Sequence, residues 1–278
     1  MKKAAVFNDL SGFGKCSLTA AIPVLSAQGV QCCPMASAVL TNQTGYEYHK
    51  CTDLTAMIKD YIDNWQKNNA HFDGIYSGFM TGSKQIELFM DFLDVFYEEN
   101  TMLLVDPVMG DDGRYSAALL DGMKALSRKA DVITPNLTEA CLLADYDIEK
   151  VYSDTRKDVL LPLATEISDK LRDLSGKNQD VIITGIKCRD DKSPFIYNLV
   201  TTANGTTTHR SHFFDVSFSG TGDLFASVIC GSRLNGFSTE EAAERAGKFL
   251  YDSIADTMND DTAPNDGVNF EKFLRELM

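Results

Sequence analysis

Asp215-Val216-Ser217-Phe218-Ser219-Gly220-Thr221-Gly222-Asp223-Leu224-Phe225-Ala226 sets a tight glycine turn directly before an apolar run of helical character. Two glycines bracket a threonine and an aspartate opens the helix, so free backbone N–H groups and the positive end of the helix dipole converge on one point. That point is an anion hole. A carboxylate beside it repels an anionic ligand unless the chemistry needs a proton acceptor or a metal ligand. As a general base, Asp223 would accept the proton of a substrate hydroxyl as that oxygen attacks a phosphoryl group held by the turn. The helix terminus favours the ionised carboxylate, a weak base suited to a loose transition state in which the proton leaves late. An aspartate in the first turn of a helix is also an ordinary structural device, and the four residues alone leave both readings open.

Upstream of this stretch, short β-rich runs alternate with longer stretches of helical period, the pattern of an α/β protein with a mostly parallel, two-sided sheet. Ala4 to Asn8 reads as a first strand, Ser11 to Gly14 as a turn and Lys15 to Gln28 as a helix, with Gly29 at the helix C′ position. Val30 to Leu40 is a second strand, and Leu54 to Asn69 a helix whose apolar stripe runs from Leu54 to Trp65. Gly74 to Ser77 is a short strand, and Ser83 to Glu99 a helix capped by Ser83. Met102 to Val105 then runs into Asp106-Pro107, and Val132-Ile133-Thr134 and Val181-Ile182-Ile183-Thr184 repeat that form. Buried strands ending in a polar residue mark the edge where open α/β sheets bind ligands. Asp190 to Phe218 is β-type with Asn204-Gly205 as a hairpin turn. Helices follow over Asp223 to Asn235 and Thr239 to Met258, with a short one near Asn269 to Leu277. No stretch has linker composition, so residues 1–278 are expected to form a single domain.

The 278 residues are 44% hydrophobic and 24% charged, an ordinary globular composition. Lys plus Arg number 26 against 40 Asp plus Glu, a formal net charge of −14 that argues against nucleic acid as a partner. Global acidity does not exclude an anionic small ligand, because a local nest of N–H groups can hold a phosphate. The seven cysteines contain no C-x-x-C pair, which suits a reducing compartment. No run is long enough for a secretory h-region or a membrane span, and the expected location is cytoplasmic. Other familiar signatures fail. Ser17 and Phe225 stand where the third glycine of G-x-G-x-x-G would fall, no P-loop occurs, and there is no G-x-S-x-G elbow. His209 and His212 are close together but lack a metal-ligand pattern around them.

Gly220-Thr221-Gly222-Asp223, Asp106-Pro107-Val108-Met109-Gly110-Asp111 and Thr134-Pro135-Asn136-Leu137-Thr138-Glu139 occur as a set. The set resembles the ribokinase-like superfamily, specifically the pyridoxal (vitamin B6) kinases, from Ser11 to about Tyr251. The resemblance implies a three-layer αβα sandwich and transfer of phosphate from ATP to the 5′-hydroxymethyl group of pyridoxal, pyridoxine or pyridoxamine. It makes Asp223 the base and Gly220, Thr221 and Gly222 the anion hole. Asp106, Asp111, Thr184 and Thr221 fall at ATP-binding positions, and Thr134, Glu139 and Asp111 at positions that help hold Mg²⁺ and a monovalent cation (K⁺ or Na⁺). Ser11 and Thr44 match residues at the polar edge of the pyridine ring, and Phe79 an aromatic position on its face. A homodimer is also implied, with Gly110 to Tyr115 as a flap over ATP. The short turn Asp9 to Gly14 looks closer to the sister hydroxymethylpyrimidine kinases, which typically carry Cys where this chain has Asp223. Those kinases, other small-alcohol kinases, and a non-catalytic pyridoxal- or nucleotide-binding protein are the alternatives.

Overall fold

A computed structural model of the chain describes residues 1–109, 116–189 and 195–278. One sheet runs through it, of strands β1 (Lys3–Ser11), β2 (Gln31–Leu40), β3 (Cys51–Asp53), β4 (Gly74–Ser77), β5 (Met102–Val105), β6 (Val132–Ile133), β7 (Asp180–Cys188), β8 (Phe195–Thr202) and β9 (Gly205–His212). Their order is β3-β2-β1-β4-β5-β6-β7-β8-β9. The pairings from β2 through β1, β4, β5 and β6 to β7 are parallel, while β3, β8 and β9 pair antiparallel at the two edges. The strands of the parallel core are short and apolar because both faces are covered, so they lack a polar-out alternation.

Helices α1 (Ser17–Ala27), α2 (Thr55–Lys67), α3 (Ser83–Phe96), α4 (Ala117–Lys129), α5 (Leu137–Leu143), α6 (Ile148–Tyr152), α7 (Lys157–Ser175), α8 (Thr221–Leu234) and α9 (Thr239–Thr257) complete the layers. The period-2 alternation of β1 divides them. Ala4 and Val6 join a buried cluster with α1, α8 and α9, whereas Ala5 and Phe7 join the cluster of α2, α3, α4, α5 and α7. The result is the expected three-layer αβα sandwich around a mostly parallel sheet. Side-chain caps hold several helix starts. Asn136 with Glu139 forms a capping box on α5, and Ser238 with Glu241 forms one on α9.

Several expected boundaries move. β1 continues past Asn8 to Ser11, with a register shift against β2 between Asn8 and Leu10. The polar pair Asn8-Asp9 is therefore a bulge inside the strand, not its end, and Ser11 belongs to the strand instead of a turn. β7 runs on to Cys188 because β8 continues to pair with it beyond the parallel core. Ser83 is the first helical residue of α3 and the cap position is Gly82. The β8–β9 loop is Ala203-Asn204, with Gly205 at φ +119° opening β9. Gly29, at φ +72° after α1, does occupy the expected C′ position.

β1 lies between β2 and β4, so the chain winds outward in one direction from β1 to β2 and in the other from β4 onward. The carboxyl ends of β1 and β4 flank this reversal. In open α/β sheets that crevice receives the ligand.

Candidate active site

The glycine turn is seated on the backbone that precedes α1. Gly220 has φ +79°, and a Cβ there would stand 1.9 Å from the carbonyl oxygen of Lys15. Both the left-handed conformation and the close approach require glycine. The turn is held from the other side by Ser219 N–H donating to the Pro264 carbonyl at 3.0 Å, and from within by the Thr221 hydroxyl donating to the Phe218 carbonyl at 3.1 Å. Beside Gly222 a Cβ would meet open space. Thr221 and Gly222 line the end of a cavity of ≈ 180 Å³ whose wall includes Thr184, Asn198, Phe214 and Tyr251. The rings of His212, Phe214 and Tyr251 form a chain with centroids 5.1 and 5.5 Å apart. A flat heteroaromatic group can lie along such a wall while its anionic tail reaches the turn.

Asp223 enters from the first turn of α8. Its Oδ1 accepts a hydrogen bond from Asn8 Nδ2 at 3.0 Å, and its own carbonyl accepts one from the Ser227 hydroxyl at 2.6 Å. The carboxylate shares its surroundings with Cys16, whose thiol is pushed up to about 12 by burial and, secondarily, by the charges of Asp223 and Asp9. Cys16 is therefore a protonated, inert neighbour of the site at neutral pH.

A second acidic group sits at the ends of β5 and β6. Asp106 is buried and accepts a hydrogen bond from the Thr134 hydroxyl at 3.1 Å. Burial, then the charges of Glu139 and Asp223, hold its carboxyl well above the usual carboxylate range, against the opposing effect of the Thr134 bond. Glu139 is fixed by the α5 capping box, accepting from Asn136 N–H at 2.8 Å. Thr184 faces the same end of the sheet, its N–H donating to the Pro135 carbonyl at 2.9 Å. Asp111, and the flap expected over Gly110 to Tyr115, lie outside the described residues. Among the described residues no cluster of three or more His, Cys, Asp and Glu is arranged to chelate a metal by itself. The mutual repulsion of Asp106, Glu139 and Asp223 nevertheless suits a hard cation completed by phosphate oxygens and water.

Where the resemblance expects the ring, Ser11 is buried and donates its hydroxyl proton to Asp9 Oδ2 at 2.8 Å, while Ser17 donates to Asp9 Oδ1 at 2.5 Å. Phe79 is half-buried just after β4. Its N–H donates at 2.9 Å to the same Asn8 side chain that holds Asp223. Ser11, Phe79 and Asp223 are thus gathered around the ends of β1 and β4. Thr44 is exposed on the loop after β2, which meets the β1–α1 loop where Gln43 N–H donates to the Phe13 carbonyl at 2.9 Å. No hydrogen bond ties its side chain to Ser11.

Sequence reasoning misses Asn8, Asp9 and Gly78. The signal for Asn8 was present, since it is a polar residue following a buried apolar run, like Asp106 and Thr134.

A glycine turn and an aspartate opening a helix beside the switch point of a mostly parallel sheet define a ribokinase-like kinase of small molecules. The phosphomethylpyrimidine kinase family model matches residues 14–266, and the chain belongs to that family. A Saccharomyces cerevisiae relative named as a pyridoxal kinase is 29% identical over 219 residues, 72% of this chain and 64% of its own length. A pyridoxine/pyridoxal/pyridoxamine kinase of Bordetella avium is 24% identical over 90% of this chain and 84% of its own. Among solved structures, a Bacteroides thetaiotaomicron protein named as a phosphomethylpyrimidine kinase, crystallised with pyridoxal, superposes with a TM-score of 0.90. It is 34% identical, over 99% of this chain and 95% of that one.

Proposed function

We propose that this chain transfers a phosphoryl group from ATP to the 5′-hydroxymethyl group of pyridoxal, pyridoxine or pyridoxamine. The observation that carries the reading is the carboxylate of Asp223 at a glycine anion turn, beside a cavity with aromatic walls and joined through Asn8 to the backbone of Phe79. A protein that only bound a nucleotide would gain nothing from a carboxylate there. Asp223 takes the hydroxyl proton as the oxygen attacks, and the N–H groups of Gly220, Thr221 and Gly222 stabilise the transferring phosphoryl. Ser11, Thr44 and Phe79 hold the ring, and Asp106, Asp111, Thr184 and Thr221 face the nucleotide. Glu139, Thr134 and Asp111 would hold Mg²⁺ and a monovalent cation (K⁺ or Na⁺), whose charge offsets that of the phosphates and the acidic cluster. Residues 1–278 act as one kinase domain, paired as a homodimer. The free cysteines suit a reducing, cytoplasmic compartment, and among the described residues no helix is long and apolar enough to cross a membrane.

The name of the family favours one second reading, hydroxymethylpyrimidine as the accepting alcohol. A coupled ADP assay across the three B6 forms, the pyrimidine and simple sugars separates the two, and fastest turnover on the pyrimidine or a sugar would overturn the B6 assignment. Asp223→Asn tests the mechanism. It should leave ATP binding intact and lower kcat by about 10²–10⁴-fold, and wild-type turnover would sink Asp223 as the base.

A further inference from the structure

We infer that Asn8 is the positioning residue for this reaction, a single buried amide that fixes Asp223 relative to the ring-binding end of the site. The inference rests on the kinase reading above. Asn8 is fully buried, and its orientation is determined by its neighbours. Its Oδ1 accepts from the backbone N–H of Asp9 at 3.0 Å and of Phe79 at 2.9 Å. Backbone N–H groups can only donate, so the oxygen must face them and the amide NH₂ must face Asp223. There it donates to Oδ1 of a carboxylate, which can only accept. One rigid side chain on β1 therefore ties the base on α8 to the backbone of Phe79 after β4. Distances between three separate elements are set by one group.

Gly78 supports the same assignment independently. A Cβ at 78 would stand 2.4 Å from Asn8 Nδ2 and 2.7 Å from its Cγ, so residue 78 must lack a side chain for the Asn8 amide to occupy its place. The fold reserves this volume for the contact with Asp223. The competing account is that Asn8 only satisfies the buried N–H groups of Asp9 and Phe79.

Asn8→Asp separates the two accounts, because it keeps the shape and the acceptor oxygen but replaces the donor facing Asp223 with a second oxygen. Positioning predicts a kcat about 10- to 100-fold lower, the scale of a lost hydrogen bond to a charged group, with the KM for ATP unchanged. Gly78→Ala should lower kcat in the same direction by displacing the amide. Added to Asn8→Ala it should cost nothing further, since the methyl group then has room. Wild-type kcat in Asn8→Asp, or additive losses in the Gly78 and Asn8→Ala pair, would overturn the inference. If Asn8→Asp fails to fold, as judged by circular dichroism, Gly78→Ala decides alone: lower kcat at unchanged ATP KM supports positioning, and unchanged kcat refutes it. Normal turnover in Asp223→Asn would bring down the base assignment itself. An inactive Asp223→Asn beside a fully active Asn8→Asp would bring down only the role of Asn8.

Discussion

The two faces of the sheet differ in where their helices make their closest contacts. The face under α2 and α3 is packed with large aromatic side chains in contact, while α4 and α7 cover the rest of it with aliphatic residues such as Leu126 and Ile167. Phe7 stacks on Phe89 at 5.2 Å, Phe89 on Phe92 at 5.7 Å, and Phe92 meets Phe96 at 4.7 Å. Each fully buried ring stabilises the fold by about 1.5–3 kcal/mol through burial alone. On the other face, α1 and α8 meet through small residues, among them Ala20, Ala21, Ala226 and Gly231, which let the helix backbones approach closely beside larger buried ones such as Leu18, Val24 and Phe225. Gln28 bridges those helices, donating to the Ser227 carbonyl at 3.2 Å and accepting from the Ser232 hydroxyl at 3.0 Å. A Cβ on Gly231 would lie 2.3 Å from that amide. The aromatic face supplies bulk stability, whereas the small-residue face supplies the precise placement of the Gly220 turn and Asp223. The first should fail when atoms are removed, and the second when they are added.

The sharpest break is one methyl group at the turn. Gly220→Ala must relieve a contact with the Lys15 carbonyl at a positive φ, so kcat should fall by about 10²–10³-fold, the cost of disrupting one set of anion-hole donors. Steady-state kinetics checks this, and a fully active variant would remove the turn from the mechanism. On the other face, Phe92→Ala should cost about 3–5 kcal/mol in a denaturant titration while the remaining folded enzyme keeps its kcat. A catalytic defect with unchanged stability would reverse the proposed division between the faces.

Two smaller effects sharpen it. Asn136→Ala removes the acceptor of the Glu139 N–H and should lower stability by about 1 kcal/mol. It keeps the backbone N–H that holds the Glu139 carboxylate, so the Mg²⁺ concentration needed for half-maximal turnover should rise only in Glu139→Gln. An unchanged Mg²⁺ requirement in Glu139→Gln would detach Glu139 from cation binding. The smallest effect concerns thiols. Cys51 is exposed, whereas Cys16 is enclosed beside Asp223 with its thiol at about 12, so an alkylating reagent at pH 8 should label Cys51 first. Peptide mass mapping reads the order. Early labelling of Cys16 would mean that the small-residue face opens in solution.

Much of this arrangement was legible in the chain itself. The apolar runs ending at Asp106 and Thr134 announced strands with functional edges, because a strand buried on both faces must be continuously apolar and a polar residue can appear only where it emerges. Asp223 was legible because an acid in a glycine turn at a helix start is a local pattern. For Asn8 only the strand-end signal was legible; that it joins Asp223 to Phe79 was not, since those partners lie 215 and 71 residues away. Gly78 was equally silent, as nothing near it in sequence shows that Asn8 fills its space.

The sequence by itself determined the α/β alternation, the anion turn and the acidic residues available to it, since each depends on composition and spacing within a few residues. Tertiary structure alone decided that Asn8 joins Asp223 to Phe79, that Gly220 rests on Lys15, and that Asp106 is buried within the influence of Glu139. Those relations arise from the order in which strands pair. A hydrogen bond or a steric contact between residues far apart in the chain has no local signature.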